Sequence, residues 1–347
     1  MALDLDHVSV ISDEEIVLNA SGNQVISVAT NKMNPSKYVE LKESDFLRLE
    51  YGKWLNDNLL DYGMYSLSQC MNTNDASKIQ LFSTFFYTKL VSEPKQSASN
   101  MKMSDAARKH ANVCNWTKKI NIFDKMVHIY PINEIEHHWY VIVVVFPSDK
   151  EPYIAVLDSD AHGDKKDDVI YNLKNYLVEE LQIKSIKSIS KTTIKEMKTI
   201  YPKVPKQSDG SSCGLFVLYY VKEIFKRVDM LDSLFDDMSS WHRDENELVT
   251  MRYELAKTIK NTGVRQGYGN VKLPNLQYFP TAAEDKAFKK SRKDDKVDEQ
   301  TVDRNESETA TGLDIPYQEY LRRIHKNQQD FSLIWSCELS SSEGETS

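Results

Sequence analysis

Eight consecutive apolar residues, "WYVIVVVF" from Trp139 to Phe146, run directly into Pro147. A stretch this rich in β-branched and aromatic side chains, stopped by a proline, reads as a buried strand. Neither it nor any other apolar run reaches the ~18 residues expected of a membrane-crossing helix. A second strand-like run, "PYIAVLDSDA" (Pro152–Ala161), begins a few residues later, and so short a connection favours an antiparallel hairpin. Helix-length segments surround these strands. "WLNDNLLDYGMYSLSQCM" (Trp54–Met71) places Leu55, Leu59, Gly63 and Leu67 at four-residue spacing, a helical face. "DDVIYNLKNYLVEEL" (Asp167–Leu181) is amphipathic with acids in its first turn. "CGLFVLYYVKEIFKRV" (Cys213–Val228) is almost wholly apolar at first, as a central helix against a sheet would be. The fold class expected is α+β, not an alternating βαβ array.

These runs lie within residues 37–262, read as the folded domain. Residues 1–36 read as a flexible leader. Residues 263–347 read as a tail, because "EDKAFKKSRKDDKVDEQTVDRNESETATG" is highly charged and almost free of aliphatics; a short helix is expected near its end. The net charge of −8 argues against broad nucleic-acid binding, which needs a basic face. The N-terminus lacks both a basic region and an apolar signal core, so no secretory signal is expected. The four cysteines, Cys70, Cys114, Cys213 and Cys337, form no CxxC pair. Free thiols in a reducing compartment, with no metal and no cofactor, are therefore expected. The chain is expected to be a monomer of the nucleus or cytoplasm.

Cys213 sits where the polar loop "VPKQSDGSS" becomes the apolar run. A cysteine there is either a small core hydrophobe or a thiol placed at a helix N-terminus, where the dipole favours the thiolate. A thiol nucleophile needs a base, usually His, and the base needs an orienting group. His138 opens the first strand and Asp158 ends the second, so pairing of the strands would bring them together. Gln207 precedes Cys213 by six residues and can turn its amide toward the thiol to stabilise an oxyanion. Each residue has a plain structural reading. The order His, Asp, Gln, Cys, ending at a loop-to-helix junction, is more specific than its parts.

Five blocks in this order resemble the ubiquitin-like-protein-specific (Ulp, or sentrin-specific) cysteine proteases, which remove SUMO. They are "GKWLNDNLLDYGM", "FSTFFYTKL", "IYPINEIEHHWYVIVV", "IAVLDSDA" and "VPKQSDGSSCGLFVLYYV". "NWTKKINIFDKMVHIYPIN" and "LYYVKEIF" resemble the Ulp2-like branch. The resemblance implies a papain-like fold, a central mixed sheet with the nucleophile starting a central helix. It implies Cys213 as nucleophile, His138 as base and acid, Asp158 as orienter and Gln207 as oxyanion donor. It further implies that Trp54 and Trp139 cover a narrow tunnel for a Gly-Gly tail, and that Asp57 meets a basic residue of the modifier. Asp57 equally suits the first turn of a helix. The chain departs from the family pattern at Ser212, where Asp is usual, at "DSD" for Asp-Ser-Leu, and at "KQ" for "QQ".

The implied activity is hydrolysis of the C-terminal Gly-Gly amide or isopeptide bond of SUMO, with SUMO and its conjugates as partners. A NEDD8 or ubiquitin protease of the same fold is the near alternative, and a catalytically silent SUMO-binding scaffold the distant one. Acetyl transfer would need a cofactor site, and no basic cluster suggests one. "VSVISDEE", with Val8, Val10 and Ile11 before three acids, resembles a SUMO-interacting motif. "FSLIWSCELSSSEGE" has a weaker version, and "KKSRKDDK" reads as a solvated linker or an import signal.

Overall fold

The computed structural model describes residues 24–50, 52–93, 103–134, 138–160, 165–207, 209–236, 241, 245–269, 271–274 and 276. The chain opens with a hairpin, β1 (Val25–Asn31) and β2 (Asn34–Lys42), then runs through α1 (Glu43–Phe46) and α2 (Asp57–Gln69). Next come α3 (Thr73–Ser77), β3 (Ile79–Leu81), α4 (Phe85–Val91), α5 (Asp105–Thr117) and β4 (Val127–Glu134). The second half holds β5 (His138–Val145), β6 (Tyr153–Leu157), α6 (Asp167–Ile183), α7 (Lys191–Glu196), β7 (Lys198–Ile200), α8 (Cys213–Lys226) and α9 (Glu245–Arg265).

Strands β3 to β7 form one five-stranded sheet in chain order. The outer pairs, β3–β4 and β6–β7, are parallel, and β4–β5 and β5–β6 are antiparallel. The apolar run of β5 fills the middle, and its two-residue period divides the core. Trp139, Val141, Val143 and Val145 face one hydrophobic cluster with residues of α2, α8 and α9. Tyr140, Ile142 and Val144 face a second, built from α4, α5 and α6. The sheet is therefore covered on both faces, which is why β5 shows no polar alternation.

Helix α8 is buried at every position from Cys213 to Ile224. Gly214 allows its start to come close to the chain entering α2, since a Cβ there would lie 3.0 Å from the Leu55 Cβ. Asp61 of α2 accepts from Ser83 Oγ at 2.7 Å and from the Thr84 N–H at 2.9 Å, tying the "FSTFFY" block to the same helix. No helix among the described residues is long and apolar enough to cross a membrane.

Three expectations are corrected. Both bounds of the folded domain move outward: residues 25–36, placed in the leader, belong to the β1–β2 hairpin, with Ile26 buried in the core and β1 packed on α2 and α9, while α9 runs on to Arg265 and Val271 is buried in the core, both placed in the tail. The first long helix starts at Asp57 instead of Trp54, because the Asn56 side chain caps it by accepting the Leu59 N–H at 3.1 Å. Leu55 accordingly packs from the loop and not from the helical face. Cys114 and Cys213 are free, but Cys70, exposed where α2 ends, is disulfide-bonded. An exposed thiol can be paired without any packing pattern that spacing would reveal. Val8, Val10 and Ile11, the rest of "VSVISDEE" and the tail motifs lie outside the described residues.

Candidate active site

The antiparallel pairing of β5 with β6 puts the first residue of one beside the chain leaving the other. His138 Nε2 lies 2.6 Å from Asp158 Oδ1. Cys213, at the first position of α8, is near enough to the ring to add to the shift of its pKa, and with Nε2 taken by Asp158 the ring nitrogen available to the thiol is Nδ1. Cys213 is buried and His138 partly so. Burial opposes charge on the ring, but the hydrogen bonds and charges of Asp158 and Cys213 outweigh it and raise the His138 pKa to about 9. Burial would likewise raise Asp158, but the His138 hydrogen bond, the Asp160 N–H and the Lys166 charge hold it below the usual carboxylate value. A carboxylate, an imidazole that keeps its proton and a thiol at a helix N-terminus thus stand in line. Chemically, that line can hold a thiolate–imidazolium pair.

The loop before α8 is built on Asp209. Its Oδ1 accepts the N–H groups of Ser211 at 3.0 Å and Ser212 at 2.8 Å, and its Oδ2 accepts the Ser212 hydroxyl at 2.6 Å. Gln207 is held on both sides. Its Oε1 accepts from Ser159 Oγ at 2.7 Å, and its Nε2 donates to the Asp209 carbonyl at 2.8 Å. The Gln207 N–H also bonds the Ser159 carbonyl at 2.9 Å, so the segment runs along the strand end that carries Asp158. Lys206, the "K" of "KQ", donates to the Asp158 and Asp160 carbonyls at 2.8 and 3.2 Å. Two departures from the family pattern, Ser212 and Lys206, are therefore anchored in the loop architecture.

The two tryptophans join this frame from the other side. Trp139 is buried and donates its indole N–H to the Leu55 carbonyl at 3.0 Å. Trp54, 39% exposed, donates to the Gly210 carbonyl at 2.7 Å, three residues before Cys213. The 54–55 segment is thus pinned to the start of β5 and to the loop before α8. Asp57 stands at the first position of α2, half-buried; burial raises its pKa against the pull of its own backbone N–H. That is the first-turn position of a helix acid.

Residues 53–266 match the model of the Ulp1 protease family, C-terminal catalytic domain. The chain belongs to this family. It is 27% identical over 285 residues to sentrin-specific protease 7 of Homo sapiens, covering 64% of this chain and 27% of that protein. It is 27% identical over 249 residues to ubiquitin-like-specific protease 2 of Schizosaccharomyces pombe, covering 61% of this chain and 36% of that protein. The second relative is of the Ulp2 kind to which the sequence pointed. The chain thus spans well under half the length of these curated relatives. Among solved structures it is similar to a de-sumoylating protease, with a TM-score of 0.51 at 22% identity over 69% of this chain and 92% of that one. That likeness bears on the fold, and agrees with the mixed sheet and the helix starting at Cys213.

Sequence reasoning missed two residues that brace this site. Arg252 of α9 donates to the carbonyls of Arg48, Glu50 and Lys53 at 3.0–3.3 Å, fixing the loop that leads to Trp54. Lys166 lies against Asp158. Both sit in polar, charge-rich segments that carry no signal in the sequence.

Proposed function

We propose that this chain is a thiol protease that hydrolyses the amide or isopeptide bond after the C-terminal Gly-Gly of SUMO. The observation that carries the reading is the His138–Asp158 hydrogen bond of 2.6 Å, with Cys213 close enough to shift the pKa of the ring, in a chain of the Ulp1 protease family. Cys213 gives its proton to His138 and its thiolate attacks the glycine carbonyl. The oxyanion is met by the Cys213 backbone N–H, which as a first-turn donor has no acceptor within the helix, and by the second N–H of Gln207. His138 then protonates the departing lysine amine, leaving a thioester. Water, activated by His138, hydrolyses it and restores the thiol. Asp158 keeps the ring oriented and stabilises its charged form.

Trp54 and Trp139 line the approach for the glycine tail, and Asp57 offers a carboxylate to a basic residue of the modifier. Support for SUMO as the modifier comes from the relatives' names, sentrin-specific and ubiquitin-like-specific, and from the apolar-then-acidic "VSVISDEE" with Val8, Val10 and Ile11 as a second contact. The test is cleavage of isopeptide-linked SUMO, NEDD8 and ubiquitin conjugates by the purified chain. Cleavage of the SUMO conjugate at the highest kcat/KM is expected. Preference for NEDD8 or ubiquitin would overturn the modifier and keep the chemistry. Inertness toward all three would favour the scaffold.

A further inference from the structure

Lys166, just before α6, is 7% exposed, and the proposed chemistry does not use it. Burying an ammonium group is costly unless partners replace its water. Here the partners come from three adjacent strands. Lys166 Nζ lies 2.5 Å from Glu134 Oε1 at the end of β4 and 3.5 Å from Asp158 Oδ2 just beyond β6. Between them it sits 4.5 Å above the ring of Tyr140 in β5, a cation–π contact. The Tyr140 ring in turn lies nearly parallel to the His138 ring, 6.2 Å away at 21°. Glu134 is also the residue paired with His138 across the β4–β5 ladder. One ammonium group therefore spans both neighbours of the strand that begins with His138, and touches the carboxylate oxygen that His138 leaves unused.

We infer that Lys166 is a positioning residue for the triad, tying Asp158 to Glu134 across β5 so that the carboxylate stays ionised and aims His138 at Cys213. The inference deepens the reading of Cys213 and His138 given above and rests on it. Among the described residues, the other charged or titratable groups facing Lys166 and Asp158 are His138 and Tyr140 from β5, Tyr201 beyond β7, whose hydroxyl is 3.4 Å from the Lys166 backbone nitrogen, and Lys206. Lys206 meets the Asp158 backbone carbonyl, so among the described residues Lys166 is the lysine placed on the carboxylate itself. Removing it leaves Asp158 easier to protonate, and the imidazolium loses its counter-charge at a higher pH.

The test compares wild type with Lys166→Met, Lys166→Gln and Lys166→Arg in the full chain. Gln keeps a polar tip in case Met impairs folding, and melting temperature is recorded for each. Cys213 alkylation by iodoacetamide, located by peptide mass spectrometry, is followed from acid to about pH 9, a readout independent of the modifier. kcat and KM on a SUMO conjugate are measured alongside. For Met and Gln, the acid limb of alkylation is expected to move up by about half a pH unit or more. kcat/KM falls about tenfold with KM within about twofold, and Arg restores most of the rate. A wild-type limb and wild-type rate per folded molecule in Met and Gln would overturn the inference, whatever the melting temperatures. A wild-type Cys213 no more reactive than an ordinary thiol would instead remove the triad reading, and this inference with it.

Discussion

His138 meets Asp158 at 2.6 Å, His110 meets Glu180 at 2.7 Å, and each carboxylate has a lysine 3.5 Å from its other oxygen, Lys166 in one case and Lys184 in the other. Pair geometry hardly separates the two. Their surroundings do. His110 and Glu180 join α5 to α6, with side chains 3% and 2% exposed, and the His110 ring stacks on Tyr176. His138 and Asp158 are 12% and 10% exposed, stand at strand ends, and have Cys213 close enough to act on the ring. A histidine–carboxylate pair is thus a structural clamp when sealed between helices. It becomes a candidate for chemistry when the second ring nitrogen reaches a thiol at a helix N-terminus.

The comparison breaks most visibly in a pair of alanine variants. Cys213→Ala or His138→Ala should lower kcat/KM on a SUMO conjugate by about a thousandfold or more while the fold persists. His110→Ala should leave kcat/KM per folded molecule within a few fold but cost about 3 kcal/mol of stability, because buried Glu180 loses its hydrogen-bonded partner and keeps only Lys184 at 3.5 Å. Denaturant titration and steady-state kinetics on the same preparations separate the two effects.

The conservative variants come next. Asp158→Asn should reduce kcat about a hundredfold, since an amide can orient the ring but cannot stabilise its charge. Glu180→Gln should leave kcat unchanged. Glu180 is the one to watch in acid: burial opposes its charge, but the His110 hydrogen bond and the His110 and Lys184 charges hold its pKa below the usual value. It therefore stabilises the fold above the unfolded-state pKa, and that stability is lost as pH falls through the depressed folded value. The melting temperature of wild type should fall more steeply in acid than that of Glu180→Gln.

A pH profile of the first pair sharpens the contrast from the alkaline side. With His138 raised to about 9, its proton contributes stability fully below the unfolded histidine value and loses it as pH rises through about 9. kcat/KM should decline over the same window, as the imidazolium that protonates the leaving amine disappears. A decline already complete at the ordinary histidine pKa would mean that Asp158 and Cys213 do not hold that proton. The smallest effect is expected at Trp54, where Ala should raise KM several-fold through loss of a half-exposed ring, with little change in melting temperature.

Much of this arrangement was legible in the sequence because it is carried by strong local patterns. The apolar run of β5 and the brief link to β6 identified the strands and their antiparallel pairing, and with it the proximity of His138 to Asp158. The switch from "QSDGSS" to an apolar run marked Cys213 as a helix start. The β1–β2 hairpin was less visible, since β2 is mostly exposed and the hairpin packs on α2 and, through β1, on α9, both distant in sequence. The start of α2 was misplaced by three residues because the cap is Asn56, inside the segment that reads as helix. Lys166 had no signal at all. In "HGDKKDD" one lysine is buried and its neighbour Lys165 exposed, a difference that only the convergence of β4, β5 and β6 creates.

The most direct test of the central claim is labelling by SUMO, NEDD8 and ubiquitin carrying a C-terminal electrophile, run on wild type, Cys213→Ala and His110→Ala. The account predicts a covalent adduct with the SUMO probe in wild type and in His110→Ala, and none in Cys213→Ala. An adduct that survives Cys213→Ala, or no adduct with any probe in wild type, would contradict it.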